Sequence, residues 1–300
     1  MSGVRVNHAK SVFTTRTLPS HHSIATGLYQ ESHGIVNNEF IDPELKISCS
    51  LYNHSSLLDS LCFDTGVEPI WLTNQRHRHK SAVFFWPGSE ARIRGELPFI
   101  SAGRYVSGYP LKDRIDKIIE WLTNSEINFA MLYFHEPDKT GHTKGPNSHE
   151  ILDRLSELNE ALDYLLNRLE ENSLGRINFI LTSDHGMSEM NTSKIIIMDK
   201  IISPELYYVY GRTESIWGIW PTNGNSWFFN ALDTKSSVDT IYTILIEAKP
   251  KNLHVYRKQD LPPRLHYTMS RRISPIVIYC DPGSSIVRSE ADAKLISRFI

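Results

Sequence analysis

The stretch HEPDKTGH, His135 to His142, packs two acids and two histidines into eight residues and follows the apolar run FAMLYF (129–134). Farther on, SDHGM (183–187) again sets a carboxylate beside an imidazole. Asp138 with His142, and Asp184 with His185, are oxygen and nitrogen donors of the kind that suits zinc or a similar divalent metal. Two such pairs in one place would make a two-metal site, which stabilises both the attacking and the leaving oxygen in phosphoryl transfer. The plainer alternative is that acids and histidines are common in loops. Thr17, in RTLPSHHSIATGLY (16–29), is a candidate nucleophile, because a hydroxyl beside a metal or base loses its proton at neutral pH. Its structural alternative is a helix N-cap. Asn38, in GIVNNEF, can donate its amide to a phosphate oxygen, or serve as a turn residue.

These groups need elements to carry them. FAMLYF and INFILTS (177–183) are apolar runs of strand length. Between them, Ile151, Leu152, Leu155, Leu158, Leu162, Leu165, Leu166 and Leu169 recur at a helical period, and Gly175 is a plausible stop. Residues 129–183 therefore read as strand, helix, strand, with a crossover long enough to make the strands parallel. Both polar clusters then start where a strand ends, which is where open α/β sheets place their ligands. Pro137 and Gly141 would shape the loop that aims Asp138 and His142. DRIDKIIEWLTN (113–124) predicts an amphipathic helix. Residues 16–29 predict a helix start, with Thr17 at the N-cap, Pro19 early and Gly27 near the end. Such a helix N-terminus can host an anion. SPIVIYC (274–280) reads as a strand, and 190–265 as mixed α and β. The expected fold is α/β, a largely parallel central sheet with helices on both faces, in a single domain over 1–300.

Composition bounds the partners. The chain has 300 residues, 40% of them hydrophobic, and a formal net charge of −2. The near-neutral, mixed charge argues against a nucleic-acid surface, and no apolar run approaches a membrane span. The first residues, MSGVRVNHAKSVF, contain no signal-peptide core and on their own predict a soluble intracellular chain. P-loop, GxSxG, GxGxxG and HExxH motifs are absent. Cys49, Cys62 and Cys280 lack zinc-finger spacing and leave one odd thiol. Asn53 and Asn191 head glycosylation sequons, which matter only in a secreted chain. His77 and His79 belong to a solvated basic loop; His21, His22, His33 and His135 read as packing or hydrogen-bonding residues; His266 has no acid near it in sequence.

RTLPSHHSIATGLYQESHGIVNN (16–38), PIWLTNQ (69–75), FFWPGSE (84–90), EPDKTGH (136–142) and SDHGM (183–187) occur in this order. Together they resemble the ecto-nucleotide pyrophosphatase/phosphodiesterase family of the alkaline-phosphatase superfamily. The resemblance implies an α/β sandwich, two zinc ions and hydrolysis of phosphodiester or pyrophosphate bonds in small-molecule or nucleotide substrates. By position it implies that Thr17 is the nucleophile, forming a phospho-threonine intermediate, and that Asn38 binds a phosphate oxygen. It assigns Asp138 and His142 to one zinc, and Asp184 and His185 to the zinc that also holds Thr17. Trp86, Pro87, Glu90 and Tyr105 fall where the family builds its substrate pocket, Tyr105 at the base-stacking position. Leu18 stands at a substrate-binding position that is usually Phe, which weakens the nucleotide assignment and raises choline-type phosphodiesters as an alternative. Arg16 replaces a common Lys, and Ser20 and His22 replace Asn and Tyr. The resemblance also implies one more ligand per zinc, an Asp before Thr17 and a His after the 274–280 strand, in segments not found in residues 1–300. The expectation is a catalytic domain lacking its first strand and its last metal-ligand segment, with an inactive, binding-only chain as the alternative to an active enzyme. The resemblance places the protein outside the cell or at its surface, touching membrane only through a segment not present here.

Overall fold

Short apolar runs broken by turn residues give many small elements. The computed structural model describes residues 3–124, 126–212, 215–222 and 234–295. Part of the 190–265 stretch expected as mixed α and β therefore lies outside the described residues. The strands are β1 (Glu39–Asp42), β2 (Ile47–Ser50), β3 (Lys80–Phe84), β4 (Ile100–Ser101), β5 (Ile127–Leu132), β6 (Ile195–Ile197), β7 (Tyr207–Tyr208), β8 (Ile216–Pro221), β9 (Leu253–Arg257), β10 (Ile276–Cys280) and β11 (Ser285–Val287). The helices are α1 (Thr17–Thr26), α2 (Gln30–His33), α3 (His54–Leu58), α4 (Ser60–Phe63), α5 (Ile70–Arg76), α6 (Leu111–Asn124), α7 (Asp138–Lys144), α8 (His149–Glu171), α9 (Thr234–Ala248) and α10 (Glu290–Leu295).

A parallel sheet runs in the order β4-β3-β5. Ala82, Val83 and Phe84 of β3 are buried, the continuous apolar pattern of a parallel strand covered on both faces. Helix α5 packs on β3 and α6 on β5. Ile115, Ile118 and Ile119 of α6 are buried while Lys112, Lys117 and Glu120 are exposed, as its amphipathic period predicts. Helix α8 lays Ala161 and Leu169 against Ile115 and Ile119. A second, antiparallel sheet runs β7-β8-β10-β9. It forms its own core with α9, through Trp217, Ile219, Ile241, Leu245, Ile276 and Ile278. Strands β1 and β2 make a hairpin, and β6 pairs with β11 in parallel.

Two of the links that hold β1 and β2 to the rest stand out. Asp42, 0% exposed, accepts from Arg271 Nε and Nη2 at 2.9 Å each and from Arg272 Nε at 2.9 Å. Arg272 also donates to the carbonyls of Gly34, Leu61 and Cys62. Burial alone would raise the Asp42 carboxyl, but the two arginines pull it down to about 2. A disulfide joins Cys49 on β2 to Cys62 on α4, and Cys280 is the odd thiol.

Three expectations change. INFILTS is not a strand: residues 177–183 run without regular structure, with Ile180 84% and Leu181 68% exposed. An apolar run becomes a strand only where a neighbour takes its N–H and C=O groups, and none of the described strands pairs with it. Residues 138–144 form helix α7 rather than a loop. The N-cap of α1 is Arg16, so Thr17 is the first helical residue.

Candidate active site

Helix α1 explains where Thr17 points. Leu18 to His22 and Ala25 are buried, and Gly27 ends the helix in the left-handed region at φ 71°. Only the N-terminal end reaches a cleft of about 1360 Å³, which Thr17 lines beside Arg16 and Asn38. The Leu18 amide donates to Asn38 Oδ1 at 2.8 Å, so a side chain from outside the helix satisfies one of its open first-turn donors. With Oδ1 committed there, the amide nitrogen of Asn38 is the end left for a ligand.

The remaining wall grows from the end of β3. Phe85 follows it with φ 61°, an unusual backbone for a bulky residue that turns Trp86 and Pro87 along the cleft. Gly88 has φ 88°, and a Cβ there would lie 2.6 Å from His22 Cε1, so the turn needs glycine on both counts. Trp86 Nε1 donates to the His21 carbonyl at 3.3 Å. The Glu90 carboxylate accepts from the Tyr105 amide at 2.7 Å. The Tyr105 hydroxyl meets His135 Nδ1 at 2.8 Å, and its ring sits edge-on to Phe85.

The two carboxylate–imidazole pairs also reach this cleft. Helix α7 sets Asp138 and His142 one turn apart, with Oδ1 and Nε2 at 3.4 Å. Asp138 Oδ1 is buried with no hydrogen-bond partner. Burial raises the Asp138 carboxyl, yet the imidazoles of His142, His185 and His135 hold it below its usual range. His185 Nε2 lies 3.2 Å from Asp184 Oδ2. Gly141 lets the 183–187 segment rest on α7, because a Cβ there would run into Met187 Sδ. The two clusters thus meet across α7, although the strand expected to bring Asp184 and His185 there is absent.

His21, expected as a packing or hydrogen-bonding residue, does hydrogen-bond, and it does so inside this group. Its Nδ1 lies 2.7 Å from the Thr17 carbonyl and 3.5 Å from Asp184 Oδ2. A carbonyl only accepts, so Nδ1 carries the proton. Burial lowers the basicity of His21, against the pull of Asp184. The available signal was its place one turn after Thr17 on the same helix. His266 meets Glu31 at 3.8 Å, an acid no local reading could have found.

Of the residues expected at the site, Thr17, Asn38, Trp86, Pro87, Glu90, Tyr105, Asp138, His142 and His185 line the cleft. Asp184 sits behind them against His21. Leu18 is the correction: it is 1% exposed, packed in the main core and not part of the cleft wall. The helix turns it inward, into that core.

The pairs fit a divalent metal in donor type. In number they fall short: among the described residues no group of three or more His, Cys, Asp or Glu converges, whereas a catalytic zinc normally takes three protein ligands.

A family model described as type I phosphodiesterase / nucleotide pyrophosphatase matches residues 1–298. Ectonucleotide pyrophosphatase/phosphodiesterase family member 5 of Homo sapiens is 36% identical over 296 residues, covering 98% of this chain and 58% of its own. Bis(5'-adenosyl)-triphosphatase ENPP4 of Homo sapiens is 35% identical over 298 residues, covering 98% and 61%. The chain thus spans about three fifths of these curated relatives. The structure of murine ectonucleotide pyrophosphatase/phosphodiesterase 5 superposes with a TM-score of 0.87 at 35% identity, covering 98% of this chain and 74% of that one. An inactive form of the murine protein in complex with AMP gives 0.86. Fold, identity and the span of the family model agree, and the chain belongs to the type I phosphodiesterase/nucleotide pyrophosphatase family of hydrolases.

Proposed function

We propose that this cleft hydrolyses phosphodiester or pyrophosphate bonds of nucleotides, with Thr17 as the nucleophile. The observation that carries the reading is one cleft holding a helix-N-terminal hydroxyl, the Asn38 amide, both carboxylate–imidazole pairs and an aromatic wall. The Thr17 oxygen attacks phosphorus, forming a phospho-threonine ester as the bond to the leaving oxygen breaks. Water then cleaves that ester and releases a phosphate monoester. Asn38 donates to a non-bridging oxygen, and the positive end of the α1 dipole with Arg16 favours the anion. His21 holds the Thr17 turn through its carbonyl. Asp138 with His142, and Asp184 with His185, are the residues that would hold two zinc ions, which when bound neutralise phosphate charge and activate the hydroxyl. Trp86, Pro87 and Tyr105 bound the base side.

The AMP complex of the murine relative and the printed name of ENPP4 support a nucleotide substrate. Leu18, whose identity raised the choline-type alternative, does not line the cleft, which supports the nucleotide reading over it. The disulfide, and Asn53 and Asn191 on the exposed surface, support an extracellular or cell-surface, glycosylated protein. The count of two donors per metal pair favours a second reading, a chain that binds nucleotides without turning them over.

Hydrolysis of bis(4-nitrophenyl) phosphate with added zinc separates the two. Activity that Thr17→Ala abolishes, by at least about a thousandfold, is the expected result. A folded chain that binds AMP but shows no hydrolysis overturns it in favour of binding alone.

A further inference from the structure

Tyr105 lies in a segment without helix or strand, yet both its backbone and its ring are held. Its amide donates to Glu90 at 2.7 Å, and its ring packs edge-on against Phe85 at 5.3 Å. Both contacts fix the backbone and the near end. At the far end the hydroxyl meets His135 Nδ1 at 2.8 Å, and Arg114 also bonds the tyrosine side chain. Behind the ring, the fully buried Arg114 guanidinium sits 5.9 Å from the Tyr105 centroid and 5.0 Å from Phe85. It is anchored by the Tyr109 and Tyr133 carbonyls. That side of the ring is closed, so the side toward the cleft is the one a ligand can use.

We infer that His135 is a positioning residue, which through the Tyr105 hydroxyl fixes the ring against which a substrate's planar base packs. The inference rests on the nucleotide reading of the cleft. His135 suits the role because it is itself fixed. It lies between β5 and α7, its side chain is 14% exposed, and its Nε2 faces Glu136 Oε1 at 3.8 Å. That carboxylate favours the tautomer with the proton on Nε2, in which Nδ1 accepts from the Tyr105 hydroxyl. Burial lowers the basicity of the ring and keeps it neutral. His135 also stands three residues before Asp138. One short segment therefore sets both the base platform and one of the metal-binding pairs, and with them the distance from base to phosphate.

The test compares two substrates with the same leaving group, the 4-nitrophenyl ester of AMP and methyl 4-nitrophenyl phosphate. His135→Phe keeps a ring but removes the acceptor. It is expected to lower the preference for the AMP ester about fivefold, with the loss lying in KM rather than kcat. Tyr105→Phe should give the same loss, and the double variant no more than either alone. His135→Gln, which restores an acceptor, should recover most of the preference. An unchanged preference, or losses in the two single variants that multiply in the double, would overturn the inference. AMP binding to the Thr17→Ala chain separates this from failure of the functional reading. If the parent chain hydrolyses neither ester, a fivefold weaker AMP affinity with His135→Phe still supports the platform; equal affinity, or no AMP binding, overturns it.

Discussion

On one side of the cleft, Thr17 and Asn38 are carried by α1 and the start of β1, whose neighbours Leu18, Ile35 and Phe40 are almost wholly buried. On the other side, Asp184 and His185 follow residues 177–183, which lie largely exposed and outside any sheet. The first wall takes its geometry from packing that cannot shift without opening the core. The second takes it from a few polar contacts, chiefly with His21, and from the rest of Met187 on α7. Reaction rates depend on placement to within about an ångström. The difference therefore teaches that Thr17 is the fixed reference, and that the Asp184/His185 pair is the part held by the fewest contacts.

The largest test of the firm wall is Asp42→Ala. It strips the carboxylate from the buried Arg272 and should lower stability by about 3–5 kcal/mol in urea unfolding. A loss under about 1 kcal/mol would show that β1 is held by something else. Acid probes the same wall. Burial depresses His33 to about 4, well below its unfolded value near 6.5, and pushes His22 the same way. The unfolded chain therefore takes up these protons first. The contribution of His33 is whole above pH 6.5 and is lost as pH falls toward 4, about 3 kcal/mol in all. Denaturation curves at pH 7 and pH 4.5 check it, and His33→Gln should flatten the difference. Asn38→Ala removes the acceptor for the Leu18 amide and should lower stability by about 1 kcal/mol; a neutral result would mean that another group caps α1. The smallest effect is expected on the loose wall. Ile180→Ser should leave stability within about 0.5 kcal/mol. A loss above 2 kcal/mol would dissolve the contrast, because the 177–183 segment would then be packed in solution.

The parts legible in the sequence were those with a local signature. The period of α6, the runs that became β5 and β10, and the helix start at residue 17 report which face each segment buries, whereas the period of α8 placed the helix but left Leu152 and Leu155 exposed. INFILTS carried the same kind of signal and misled, because apolar residues declare an appetite for burial without naming a partner. The links across the fold left no local trace. Asp42 and Arg272 are 230 positions apart, Cys49 had two other cysteines to choose between, and Glu90 turned out to hold the Tyr105 backbone. Nor could the family pattern show that Leu18 faces inward, since a pattern gives position along the chain and not direction in space.

Helix α1 has a further consequence. Its first residue faces the cleft while the next five belong to the core. Changes that moved Thr17 would have to be accepted by the interior first, whereas Arg16, Tyr105 and His135 stand outside that constraint. Such a protein can acquire a new ligand by redecorating its walls while the Thr17 hydroxyl stays still. Variation among descendants of this chain should therefore collect around Thr17 and spare the helix that carries it.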